Sequence, residues 1–214
     1  MRLLKKHSLR RVEEVLNSLS HGVTALVAIA GLIMLIIYGA MSHKEWTLFS
    51  GIIYGISIVL LYTSSAFYHA TFHYSKREMW RILDHCSIFI LIAGTYTPIL
   101  LVAIGGTAGW IMFGIQWGIA LFGIVFKFFH TGKYEWISLL MYLAMGWMII
   151  FQIGTLYASL PPIGFWMMVG GGLAYTFGVA FYMMEYIPFM HFIWHLFVMA
   201  GSLLHYFMTI WYVI

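Results

Sequence analysis

Seven apolar stretches, each long enough to cross a bilayer, are separated by only a few polar residues. They lie at roughly 19–41, 46–69, 85–104, 108–128, 135–156, 162–184 and 191–213. A spanning helix needs about 20 apolar residues to cover a hydrocarbon core of about 30 Å. In lipid each stretch must satisfy its own backbone, so all seven are expected to be helices. The breaks carry polar or helix-ending residues: Ser42 to Glu45, His73 to Arg81, Gly105-Gly106, Thr131 to Lys133, Pro161-Pro162 and Pro188. Composition agrees, because 63% of residues are hydrophobic and 8% charged, whereas a soluble domain is about 25% charged. This excludes an ordinary soluble enzyme and a disordered chain. The expected fold is an all-α integral membrane protein, a seven-transmembrane helix bundle over residues 19–214, after a basic segment over 1–18. No room is left for a soluble catalytic domain, so any site must be built from the spans and their ends.

The lysines and arginines orient the bundle. With the N-terminus cytoplasmic, the inner segments hold Arg2, Lys5, Lys6, Arg10, Arg11, Lys76, Arg77, Arg81, Lys127 and Lys133, and the outer ones only Lys44. Seven spans then put the C-terminus outside. The expected location is the cell (plasma) membrane, as a multi-pass protein with membrane lipids as partners. The first 18 residues lack an apolar core of their own and do not read as a cleavable signal. Nucleic acid is not an expected partner, since topology already accounts for the basic residues. The single cysteine, Cys86, excludes an intramolecular disulfide. Nothing in the pattern speaks to oligomeric state.

Ionisable groups in or beside spans are costly and need a reason. Ser65 and His69 end the second span, Asp84 opens the third, and His191 and His195 open the seventh. The topology brings all of them to the cytoplasmic face. His191 and His195 are four residues apart, which stacks both imidazoles on one helix face, the spacing of paired metal ligands. A third imidazole from another helix completes a three-histidine site with an open position, the catalytic zinc pattern. His69 is the expected third ligand, with His73, one turn on in the polar loop, as the alternative. Asp84, the only aspartate in the chain, is placed to accept a hydrogen bond from a metal-bound water or to orient a ligand. Ser65 lies on the same face as His69. The bland alternatives are interfacial histidines and a serine bonded back to its own helix. His85 is an alternative partner for Asp84, and His21 an outer neighbour of the site. His205, about 15 Å deeper along the seventh span, is too far to share the metal and reads as a buried polar contact. His7, His43 and His130 read as loop residues, and Cys86 as core.

The same residues carry a resemblance to the bacterial hemolysin III proteins, a branch of the progestin and adipoQ receptor family. It covers nearly the whole chain. Its motifs are Glu14-x2-Asn17-x2-Ser20-His21 entering span one, Ser65-x3-His69 ending span two, Asp84 with Gly94 to Pro98 in span three, and His191-x3-His195 with His205 in span seven. The resemblance implies seven helices with the N-terminus inside and a zinc ion near the cytoplasmic face. It implies His69, His191 and His195 as zinc ligands, accompanied by Ser65 and Asp84. It also implies a hydrolase-like site related to that of alkaline ceramidases, a link to membrane fluidity, and the haemolytic activity in the family's name. The large cytosolic N-terminal region of the animal receptors is absent here, so receptor function is not carried over.

The expected function is therefore a zinc-dependent hydrolase of a lipid amide or ester, with Asp84 and Ser65 catalytic and His69, His191 and His195 holding zinc. Two other readings stand beside it. One is a non-enzymatic sensor or regulator of the membrane with structural zinc. The other is a cytolytic protein, which the absence of any water-soluble form of the chain disfavours.

Overall fold

The structure is a computed structural model, and it describes residues 2–214, with side chains described from Ser8 onward. The side chains of Arg2, Lys5, Lys6 and His7 lie outside the described residues. Eight α-helices run α1 (Arg2–Met41), α2 (Thr47–Ala70), α3 (Tyr74–Pro98), α4 (Gly106–His130), α5 (Glu135–Gly146), α6 (Ile153–Ser159), α7 (Pro162–Met183) and α8 (Met190–Met208). With short π and 3-10 extensions they give seven helices long and apolar enough to cross a membrane. No strand occurs among the described residues. The chain is thus a seven-span, all-helical, multi-pass membrane protein.

Two details of the sequence reading change. The stretch His73–Arg81, read as a loop, is largely helical: α3 starts at Tyr74, so Asp84 sits about three turns in and does not open it. A spanning helix can extend past the hydrocarbon, and there its residues are polar without breaking it. The fifth span is not one helix either, since α5 stops at Gly146 and a 3-10 turn over Met148–Gln152 leads into α6. In α3, Pro98 supplies no N–H and crowds the preceding turn, and the chain continues as a π-helix over Ile99–Ile104. Gly105 and Gly106 then both adopt positive φ, 65° and 56°, which costs glycine little and lets the chain reverse.

α3 is central, packed between α2 and α4, while α1 and α8 close the ring on α2's other side. One core cluster joins α1, α2, α3 and α8 through Leu35, Tyr54, Leu61, Tyr62, Leu91 and Val198. A second lies toward the opposite end from the histidines, around Ile99, Leu100, Met148, Leu156 and Met208. The outer faces are apolar instead of charged: Leu26, Val27, Leu121, Phe122 and Trp166 are all exposed, as lipid-facing residues should be. α1 is peripheral, yet it buries a stripe of every fourth residue, Glu13, Asn17, His21 and Ala25. That stripe turns three polar side chains toward the end of the bundle that holds His69 and His191. Arg77, Arg81 and Lys127 lie at this end, whereas Lys44 lies at the other, where its Nζ donates to the carbonyl of Val213 at 3.0 Å.

Candidate metal centre

His69 comes from the last turn of α2, and His191 and His195 from the first two turns of α8. Their ring centroids stand 5.1, 4.9 and 4.9 Å apart, pair by pair. One nitrogen of each lies within 4.8 Å of the other two. The three histidines are positioned to hold a metal ion, as the i, i+4 spacing plus one ligand from a second helix anticipates. His73 is not part of this group; it is exposed, at the start of α3, and pairs with the Ser75 hydroxyl.

The tautomer of His69 is set by its neighbour. Its Nδ1 donates to Glu14 Oε2 at 2.7 Å, and a carboxylate only accepts, so the proton sits on Nδ1. Nε2 is left with a free lone pair, and it is buried with no hydrogen-bond partner among the described residues. An unpartnered buried acceptor facing two more imidazoles suits a cation. The donor set therefore fits a metal, and three imidazoles suit a borderline ion better than calcium or magnesium, which take oxygens. Glu14 Oε1 in turn accepts from Arg77 Nη2 at 2.6 Å, and Arg77 caps α2 through the carbonyl of Thr71 at 3.1 Å. Arg77, Glu14 and His69 form one chain across α3, α1 and α2. The sequence reading gave Glu14 only a place in a motif and Arg77 only a place in the charge count. Glu14 lies two turns before His21 on the same face of α1, and that was the available signal.

His21 stacks on His195, with centroids 3.7 Å apart and planes 10° from parallel, and meets the edge of Tyr62 at 4.8 Å. It is the outer neighbour expected of it. His191 has Glu185 near its Nδ1, at 3.9 Å.

Below the histidines an elongated cavity of about 140 Å³ runs into the bundle. Ser65, Asp84 and His21 line its upper end, and Leu61, Leu91, Leu143, Val179 and Val198 its walls. Ser57 and Ser64 bond back to the carbonyls of Tyr54 and Leu61. Ser65 shows no such bond among the described residues and faces the cavity beside Asp84. The Ser87 hydroxyl donates to the backbone carbonyl of Asp84 at 2.6 Å and receives one from Ser64 at 3.1 Å, fixing α3 against α2 here. His85 is not the partner of Asp84. One residue on, it points to another side of α3, with its Nδ1 3.7 Å from Glu135 Oε2. Glu135 also binds the fully buried Lys127, an ion pair that the sequence reading did not anticipate. Cys86 is buried near the carbonyl of Ile124, as a core residue.

Comparison with known proteins decides the family. The model of the family described as "Haemolysin-III related" matches residues 9–206. The chain belongs to the haemolysin III-related family. It is 42% identical over 200 residues to the hemolysin-3 homolog of Bacillus subtilis, covering 94% of each chain. It is 40% identical over 202 residues to hemolysin-3 of Bacillus cereus, covering 94% of this chain and 92% of that one. The human monocyte to macrophage differentiation factor is 30% identical over 208 residues, covering 93% of this chain and 83% of its own. That more distant likeness supports the place of haemolysin III-related proteins beside the progestin and adipoQ receptors. No solved structure matches the chain.

Proposed function

We propose that this haemolysin III-related protein is a zinc-dependent hydrolase of a lipid amide or ester, working at the cytoplasmic face of the plasma membrane. The observation that carries the reading is one arrangement: three histidines with a free buried nitrogen, set at the mouth of an apolar cavity that Ser65 and Asp84 line. His69, His191 and His195 would hold the ion. Zinc, when bound, lowers the pKa of water and polarises a carbonyl.

The remaining chemistry belongs to the chain. The acyl tail lies among Leu61, Leu91, Leu143 and Val198, which exclude bulk water from the reacting carbonyl. Asp84 accepts a proton from the attacking water on a carboxylate oxygen. The Ser65 hydroxyl donates to the carbonyl oxygen as negative charge builds there. The water oxygen bonds to the carbonyl carbon, the C–N or C–O bond breaks, and Asp84 returns the proton to the leaving group. Both α5 and α7 line the cavity, and the lipid is taken to enter from the bilayer between them. Released acyl chains alter the membrane itself, which offers a route to lysis without a pore.

Purified protein is to be incubated with a panel of N-acyl and O-acyl lipids, and free fatty acid measured. Wild type releases fatty acid. Asp84→Asn keeps its metal and slows release at least about 100-fold, the usual worth of a positioned general base. Full activity in Asp84→Asn contradicts the role assigned to Asp84. Metal without release of any acyl chain favours a structural ion in a membrane regulator.

A further inference from the structure

The far end of the cavity holds a polar group that neither the metal centre nor the packing uses. His205, in α8, lines the cavity and is 5% exposed. Ten residues separate it from His195, about 15 Å along the helix. Its Nε2 lies 3.0 Å from the carbonyl of Met168 in α7. A carbonyl only accepts, so Nε2 carries the proton and donates, and Nδ1 of the neutral ring is left as an acceptor. That Nδ1 is buried with no partner among the described residues.

Nearby hydroxyls do not serve it. Tyr62 donates its hydroxyl to Ser202 at 2.8 Å, and the Tyr175 hydroxyl pairs with the same Ser202 oxygen at 2.8 Å. The Tyr96 hydroxyl donates to the carbonyl of Gly146 at 2.6 Å, and those of Thr95 and Thr176 donate to carbonyls one turn back in their own helices. Nor does the bond to Met168 account for a histidine here. Met168 lies inside α7, where its carbonyl already has a helical partner. The fold also makes room for the imidazole: a Cβ at Gly171 would collide with its Cδ2 and Nε2. A leucine would fill this space without a stranded acceptor, and a buried acceptor with no donor is costly.

We propose that the deep end of the cavity is a subsite for a hydroxyl group carried part-way along a lipid acyl chain, with His205 Nδ1 as its acceptor. This rests on the reading that the cavity takes an acyl chain with its carbonyl at the metal centre. A depth of 15 Å is spanned by about a dozen extended carbons, given C–C bonds of about 1.5 Å. The favoured substrates are thus hydroxylated at mid-chain.

The test is competitive binding by native mass spectrometry, with stearate, 2-hydroxystearate and 12-hydroxystearate offered in equal amounts to purified protein. Wild type is expected to favour 12-hydroxystearate over stearate by roughly three- to tenfold, the worth of one neutral hydrogen bond, and to show no such gain for the 2-hydroxy acid. His205→Leu brings the ratio to one while stearate still binds. His205→Asn, whose amide oxygen falls near the place of Nδ1, keeps part of the preference. A ratio of one in wild type, or an unchanged ratio in His205→Leu, overturns the proposal, as does an occupant that proves to be a fixed water on Nδ1. Should His205→Leu not fold, equal preference for both hydroxy acids in wild type overturns it as well. Failure of stearate itself to bind overturns the underlying acyl-chain reading, whereas bound stearate with no hydroxyl preference overturns the subsite alone.

Discussion

A carboxylate on the remote nitrogen of a metal-ligating imidazole fixes the ring's tautomer and raises the basicity of the ligating nitrogen. Glu14 stands in that position toward His69, and Arg77 holds Glu14 in place. Glu14→Ala is therefore expected to weaken metal binding by about 10- to 100-fold, read by chelator competition. Glu14→Gln keeps one acceptor for Nδ1–H and loses less. Equal affinity in wild type and Glu14→Ala would show that Glu14 serves only α1 packing. The three histidines were legible from spacing and from the side of the membrane on which each span ends. Glu14 was not, because its partner lies 55 positions away, and glutamates beside lysines and arginines read as a solvated end. The separation of His85 from Asp84 follows from helical geometry alone, since adjacent residues point about 100° apart.

The corner between α4 and α5 is held by one ion pair, Lys127 with Glu135, and Lys127 is fully buried. The same carboxylate accepts from the backbone N–H of Gly132 at 2.8 Å, closing the turn. Removing it strands a buried cation, so Glu135→Ala is expected to cost about 3 kcal/mol and to lower the melting temperature in detergent. Lys127→Met with Glu135→Leu removes both charges and should recover most of that loss. Contact between α7 and α8 depends on the absence of a side chain at Gly171. Gly171→Ala should cost about 1–3 kcal/mol through overpacking against His205, again read by thermal melting. Element positions were readable wherever an apolar run ended at glycine or proline. They were misread at the start of α3, where helix continues through polar residues, and at Met148–Gln152, where no residue type announces the break.

For the whole molecule, hydropathy and length prescribed the fold class, because unbroken apolar runs of about 20 residues match spanning helices and are twice the length of a barrel strand. The cavity was not legible, since its lining comes from α1, α2, α3, α5, α7 and α8 together and no single helix specifies it. With Arg77, Arg81, Lys127 and Lys133 at the metal end against Lys44 at the other, the rule that basic ends stay inside makes a cytoplasmic metal end the expected orientation. Alkaline phosphatase fused after Ile214 is accordingly expected to be active, and a green fluorescent protein at the same place dark. The reverse pattern would put the metal centre outside. The central claim is that His69, His191 and His195 hold zinc, and elemental mass spectrometry tests it most directly, on protein purified without chelators beside the His191→Ala/His195→Ala variant. The account predicts close to one zinc per wild-type chain and almost none in the variant. Metal-free wild type, or equal zinc in both, would contradict it.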